Sequence, residues 1–254
     1  MGRARSRIQI CGSLVVEVDG RRIERDLPGR QGQLLLVYLV ANRHRAVTRD
    51  ELVEALWPRE LPSRPDSAVS VLLSKLRSVL GPSAVEGRSQ LRLSISSVAI
   101  DLEAASKGVH DAESAIALED WAGAWGPARV ALHSASRGIL PGFDAPWIDD
   151  LRARLDDIRL RALTCIALSS LRLGGPELPA AERAGRALVE LAPFREAGYL
   201  LLMESLAVRG NTAEALQVYV GLRQLLRDEL GTAPGSELQA LHRRLLGDGL
   251  PATG

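Results

Sequence analysis

Ser67, Ser70, Val71, Ser74 and Lys75 fall on one arc of a helix spanning residues 66–80, with Arg77 at its edge. Residues three and four apart share a helical face, so these side chains meet one partner together. Serine hydroxyls are short enough for close approach and bond phosphate or base, lysine donates to guanine edges, and arginine binds phosphate. Arg64 precedes the helix and suits a phosphate, while Arg88, in a turn beyond it, is placed for a minor groove. Taken alone the set reads as a solvated, serine-rich helix face; within the architecture that follows, double-stranded DNA is the polyanion it fits. Other chemistry has no comparable arrangement. Cys11 and Cys165 make no CxxC pair, and His44, His110, His133 and His242 lack metal-ligand spacing. Asp149-Asp150 and Asp156-Asp157 have no histidine or nucleophile nearby and read as a solvated acidic face. The two lysines, Lys75 and Lys107, follow no glycine-rich phosphate loop. No catalytic residue, metal or cofactor is expected.

Several elements must position that helix. Val69, Leu72, Leu73, Leu76 and Leu80 form its inward stripe, Asp66 is placed to cap it, and Gly81-Pro82 ends it. Before it, Thr48 and Glu51 form a capping box opening a short helix with Leu52, Val53 and Leu56 inward. Trp57-Pro58 stops that helix, and the Trp57 indole either reaches a phosphate or plugs the core. Leu34, Leu35, Tyr38 and Leu39 mark an earlier helix ending near Asn42. The start of the chain reads as strands, with β-branched runs at 8–12 and 14–18 and a hairpin turn at Asp19-Gly20. Residues 85–90 make a turn, and Leu91 to Ile95 alternate as a strand. Strands, three helices and a terminal hairpin compose a winged helix-turn-helix.

The texture changes near residue 102, and so does the charge. Residues 1–102 hold 16 basic and 11 acidic side chains, and residues 103–254 hold 16 and 20. The near-neutral whole hides a basic half suited to a polyanion. From Asp101 onward helical patterns dominate. Ala181 and Ala215 stand 34 residues apart, each preceded by a glycine turn at Gly175 or Gly210, and Pro193 marks the end of a helix pair. An earlier unit has small residues at Ala124 and Ala131. This spacing is that of tetratricopeptide-like hairpins, whose alanines let helices approach. Trp121, Trp125 and Trp147 are expected to pack within this helical half. The chain is therefore expected to be mainly α with a small N-terminal β component. Its domains would be a DNA-binding winged helix over 1–102, a helical domain over 103–247 and a flexible tail over 248–254.

The segment Leu52 to Leu80, with Ala55-Leu56-Trp57-Pro58 and Leu73 through Gly81, resembles the OmpR-type winged helix of Streptomyces antibiotic regulatory proteins. The second half resembles the bacterial transcriptional activator domain that follows it there. The matching residues are Asp101-Leu102, Gly138-Ile139-Leu140, Trp147, Pro193 through Glu196, Leu202-Met203, Gly210 through Leu216, Tyr219, and Asp228 through Gly235. The resemblance implies a sequence-specific activator that binds direct repeats near promoters and recruits RNA polymerase holoenzyme, with a homodimer as a further implied state. It makes Lys75 a base reader and Arg77 a phosphate clamp. Two departures stand out: Ser74 replaces a common arginine, and Ser89-Gln90 replaces a Gly-Tyr pair before the last strand. Both point to modest affinity or altered preference, and a protein-interaction adaptor with weak DNA affinity is the alternative.

The longest apolar run, Leu34 to Ala41, is eight residues, too short to span a membrane. No secretory h-region follows the Arg-rich start, so a cytoplasmic protein is expected. Met1 to Ser6 fits a myristoylation pattern and Leu250 to Gly254 a sortase signal, both read as coincidence.

Overall fold

The Asp19-Gly20 turn forms as its sequence predicts. In the computed structural model, which describes residues 6–95 and 98–248, both turn residues take positive φ, 50° and 82°, as a two-residue hairpin requires. The turn joins β2 (Val15–Val18) to β3 (Arg21–Arg22). β1 (Arg7–Gln9) pairs antiparallel with β2 and parallel with β7 (Ala99–Ile100), giving the sheet order β3-β2-β1-β7. The helices α1 (Gly29–Ala41), α2 (Arg49–Leu56) and α3 (Pro65–Leu80) follow. A second sheet, ordered β4-β6-β5, joins the terminal hairpin of β5 (Val85–Glu86) and β6 (Gln90–Leu93) to β4 (Val47–Thr48).

Beyond β7 the chain is helical: α4 (Asp101–Ala117), α5 (Trp121–Ala135), α6 (Pro146–Leu173), α7 (Leu178–Leu191), α8 (Glu196–Val208), α9 (Thr212–Leu230) and α10 (Ser236–Asp248). The fold is thus an N-terminal winged helix followed by a helical domain. Two compact units result, but a single cut at residue 102 does not separate them. The first comprises Met1–Ala104 with Ser134–Leu155, and the second Ala105–His133 with Asp156–Gly254. Of the tail expected over 248–254, Asp248 ends α10; the rest lies outside the described residues, as do the sortase pattern and most of the myristoylation pattern. Among the described residues no helix is long and apolar enough to cross a membrane.

In the first unit, the late segment joins the N-terminal elements intimately. Leu140 and Ile148 are as deeply buried as Ile8, Leu35, Leu52 and Leu73. Ile139 bridges to Cys11 and Gly12 just beyond β1, so this stretch is not purely helical. The Asp101 carboxylate accepts the amides of Ile10 and Cys11 at 2.9 and 3.0 Å and pairs with Arg137. Burial, with Asp101 second, pushes the Cys11 thiol up to about 12, which leaves it an inert core residue. The Arg30 guanidinium lies 4.6 Å from the Phe143 ring centre and donates to the Gly142 carbonyl.

The second unit stacks helical hairpins around the alanines the 34-residue spacing singled out; Ala181 and Ala215 are fully buried in α7 and α9. Pro193 lies in the turn between α7 and α8, inside a pair rather than at its end, because Ala192 closes α7 only four residues before α8 opens. α7 and α8 cross closely at glycine: a Cβ on Gly185 would stand 2.9 Å from the Leu202 Cα. Gly185→Ala is therefore expected to lower stability by about 1–3 kcal/mol through overpacking. Were the crossing loose, the better helix propensity of alanine would raise stability instead; urea unfolding reads the sign.

His242 of α10 stacks on Tyr219 at 4.0 Å between ring centres. Burial, and secondarily Arg223, holds its imidazole below the ordinary 6.5. The unfolded chain then takes the proton first, so stability is present above that value and falls as the pH drops through the window beneath it. His242→Phe keeps an aromatic stack without a proton site. Its melting temperature is expected to fall less than the parent's between pH 7.5 and 5.5; an equal fall would contradict this origin.

Candidate nucleic-acid interface

The short helix α2 depends on bonds at both ends, since eight residues do not hold a helix alone in water. At its start the capping box forms in both directions: the Thr48 side chain accepts from the Glu51 amide, and the Thr48 amide donates to the Glu51 carboxylate. Burial alone would raise the Glu51 carboxyl, but Arg45 at 2.6 Å and these Thr48 bonds bring it below its usual value. At the other end two orphan carbonyls find donors from afar: Gln31 Nε2 donates to Leu56 and Trp147 Nε1 to Ala55, at 3.1 and 3.0 Å. Trp147 also meets Tyr38 edge to face, ring centres 5.1 Å apart. It therefore braces the helix-turn-helix, and does not pack in the helical half as expected. Trp57 is the half-buried C-cap of α2.

α3 starts differently from the expectation. Arg64 is its N-cap, without a side-chain cap bond, and Pro65 takes the first helical position, where its missing N–H costs nothing. Asp66 lies within the first turn and does not cap. Val69, Leu73, Leu76 and Leu80 are buried, while Leu72 is half-buried. On the opposite face Ser67, Ser70, Val71, Ser74 and Lys75 are all exposed, as are Arg64 and Arg88. The structure thus brings Ser67, Ser70, Ser74 and Lys75 onto one surface.

Two arginines organise the wing, the hairpin of β5 and β6. Arg77 is half-buried; its Nε donates to the Val85 carbonyl at 2.9 Å and its Nη2 to Gly87 at 2.8 Å. It is thus committed to holding the hairpin against α3, whatever it offers a phosphate. Arg49 makes the second tie. Its Nε donates to the Arg88 carbonyl at 2.8 Å and its Nη1 to the Ser70 Oγ at 3.0 Å, linking the wing tip to the exposed face of α3. Ser70 in turn donates to the Asp66 carbonyl at 2.8 Å. With its proton and one lone pair engaged, Ser70 is tied to the scaffold while staying exposed. Ser67, Val71, Ser74 and Lys75 then form the open stripe of the helix.

Arg49 is the residue that sequence reasoning missed. Its position beside the capping box gave no sign of a partner 39 residues away. Arg92, exposed on β6, is a further basic group on the wing. In the second unit Trp125 lies under the Arg129 guanidinium at 4.5 Å and Trp121 under Arg172 at 5.8 Å, both half-exposed rather than buried. Asp149 pairs with Arg152 and Asp157 with Arg161 on exposed helix faces, and among the described residues no acidic, histidine or cysteine group is arranged to hold a metal.

Residues 100–246 match the family described as the bacterial transcriptional activator domain, and residues 26–91 match the C-terminal domain of transcriptional regulatory proteins. Among characterised proteins, the regulatory protein AfsR of Streptomyces coelicolor is 34% identical over 94% of this chain. The transcriptional regulatory protein EmbR of Mycobacterium tuberculosis is 28% identical over 93% of it. The chain spans 24% of the length of AfsR and 62% of EmbR. The solved structure of Mycobacterium tuberculosis EmbR in complex with a low-affinity phosphopeptide superposes with a TM-score of 0.81 at 25% identity, covering 97% of this chain and 66% of that one.

Proposed function

The chain belongs to the Streptomyces antibiotic regulatory protein family, and on that premise we propose that it is a sequence-specific DNA-binding activator of transcription. In this reading α3 lies in the major groove and the wing follows the neighbouring backbone. The observation that carries it is the open stripe of Ser67, Val71, Ser74 and Lys75. Among the described residues nothing covers these side chains, and two arginines join their helix to the wing. Short hydroxyls permit close approach, and Lys75 is placed to donate to a guanine edge. Exposed Arg64 and Arg88 flank the stripe in the chain and supply phosphate and minor-groove contacts.

The target is proposed to be direct repeats near promoters, in a secondary-metabolite gene cluster, with a homodimer or paired monomers occupying the repeat. The second unit would then meet RNA polymerase holoenzyme in the cytoplasm. Selection of genomic fragments on the purified protein, followed by sequencing, tests this reading. Enrichment of a repeated motif supports a specific regulator. Recovery of no sequence above background, even at low salt, would overturn it and favour a protein-interaction adaptor.

A further inference from the structure

We propose that Val71 is a specificity-determining residue that reads the 5-methyl group of a thymine, an inference that rests on the DNA-binding reading above. Val71 is 53% exposed on α3, at the centre of the open stripe. It follows Ser67 by one turn and precedes Ser74 and Lys75 by one turn. A β-branched side chain loses rotamer freedom in a helix and is a poorer helix former than the alanine or glutamate common at such positions. Here more than half of its surface stays open to solvent, so burial offsets little of that cost.

Its neighbours strengthen the assignment. Ser70, adjacent in sequence, has its hydroxyl held between the Asp66 carbonyl and Arg49, so its proton is already committed beside the valine methyls. Ser67 and Ser74 are shorter than valine, which leaves Val71 the most projecting apolar group on this face. Lys75, one turn further along α3, offers the charge. In the major groove the thymine C5-methyl is the apolar mark that separates a T·A pair from the others. A valine flanked by short hydroxyls can meet that methyl without burying an unpaired polar atom.

The test uses the full chain and the site recovered by genomic selection, with each thymine replaced in turn by deoxyuridine, which differs by that methyl alone. At one position in each half-site the parent protein is expected to bind about fourfold more weakly, the equivalent of one methyl left in water. Val71→Ala, whose exposed position leaves the melting temperature unchanged, should bind the thymine and deoxyuridine forms of that position alike. Deoxyuridine without effect at every position would overturn the proposal. So would a methyl effect that Val71→Ala retains in full. Both outcomes leave DNA binding itself intact, whereas failure to recover any site removes the reading on which the proposal rests.

Discussion

A fragment ending at residue 102 is expected not to fold cooperatively, although it contains every strand and helix of the winged helix-turn-helix. It lacks Ile139, Leu140, Ala145, Ile148, Leu151 and Leu155, all buried and all within Ser134–Leu155 of the first unit. Burying one large aliphatic side chain is worth about 1.5–3 kcal/mol, so losing the isoleucines and leucines among them removes an amount comparable with the whole stability of a domain, about 5–15 kcal/mol. The fragment also lacks the indole that satisfies the Ala55 carbonyl at the end of α2. In the intact chain, Trp147→Ala should cost about 2–4 kcal/mol through the lost packing and the orphaned carbonyl. Denaturant unfolding followed by circular dichroism checks both. A sharp transition for the fragment, with a midpoint matching the full chain, would show that the late segment is dispensable.

The second large effect is a division of labour between Lys75 and Arg77. Lys75→Ala should cost about 1–3 kcal/mol at one base position and relax preference there, leaving other positions unchanged. Arg77→Ala should weaken binding to all sequences together, because it frees the Val85 and Gly87 carbonyls and lets the wing drift from α3. The two lost bonds, each worth about 1 kcal/mol net, should also lower the melting temperature, which Lys75→Ala should leave unchanged. Anisotropy titrations against a selected site and its single-base variants separate the two patterns. Uniform loss across all variants for both substitutions would contradict a reading role for Lys75.

The difference between these residues was partly legible in the chain and partly hidden. Local rules sufficed for the Asp19-Gly20 turn, the Thr48–Glu51 box, the buried stripe of α3 and the small residues of α7 and α9. The first three depend on neighbours within one or two turns and the last on a 34-residue repeat, so periodicity and capping chemistry reveal them. Trp147, Arg49 and Arg77 draw their roles from partners brought near by folding: Trp147 meets a carbonyl 92 residues away and Arg49 one 39 residues away. An exposed-looking arginine has no sequence mark that tells a carbonyl partner from a phosphate. Likewise Asp66 carried the right chemistry for a cap, yet Pro65 is pre-organised for the first helical position and moved the helix start ahead of it. The same limit explains the boundary near residue 102. Composition changes there, while the packing of the first unit reaches across to Ser134–Leu155.

The central claim is that the winged helix-turn-helix holds DNA by phosphate contacts and chooses its sequence through the open stripe of α3. Affinity measured against salt concentration, for a selected repeat and for a scrambled duplex of the same length, tests it most directly. Each phosphate contact should contribute about 0.9 to the slope of log affinity against log salt. The two duplexes are expected to share most of a steep slope, the selected one binding more tightly throughout. A shallow slope with equal affinity for both duplexes would contradict the claim.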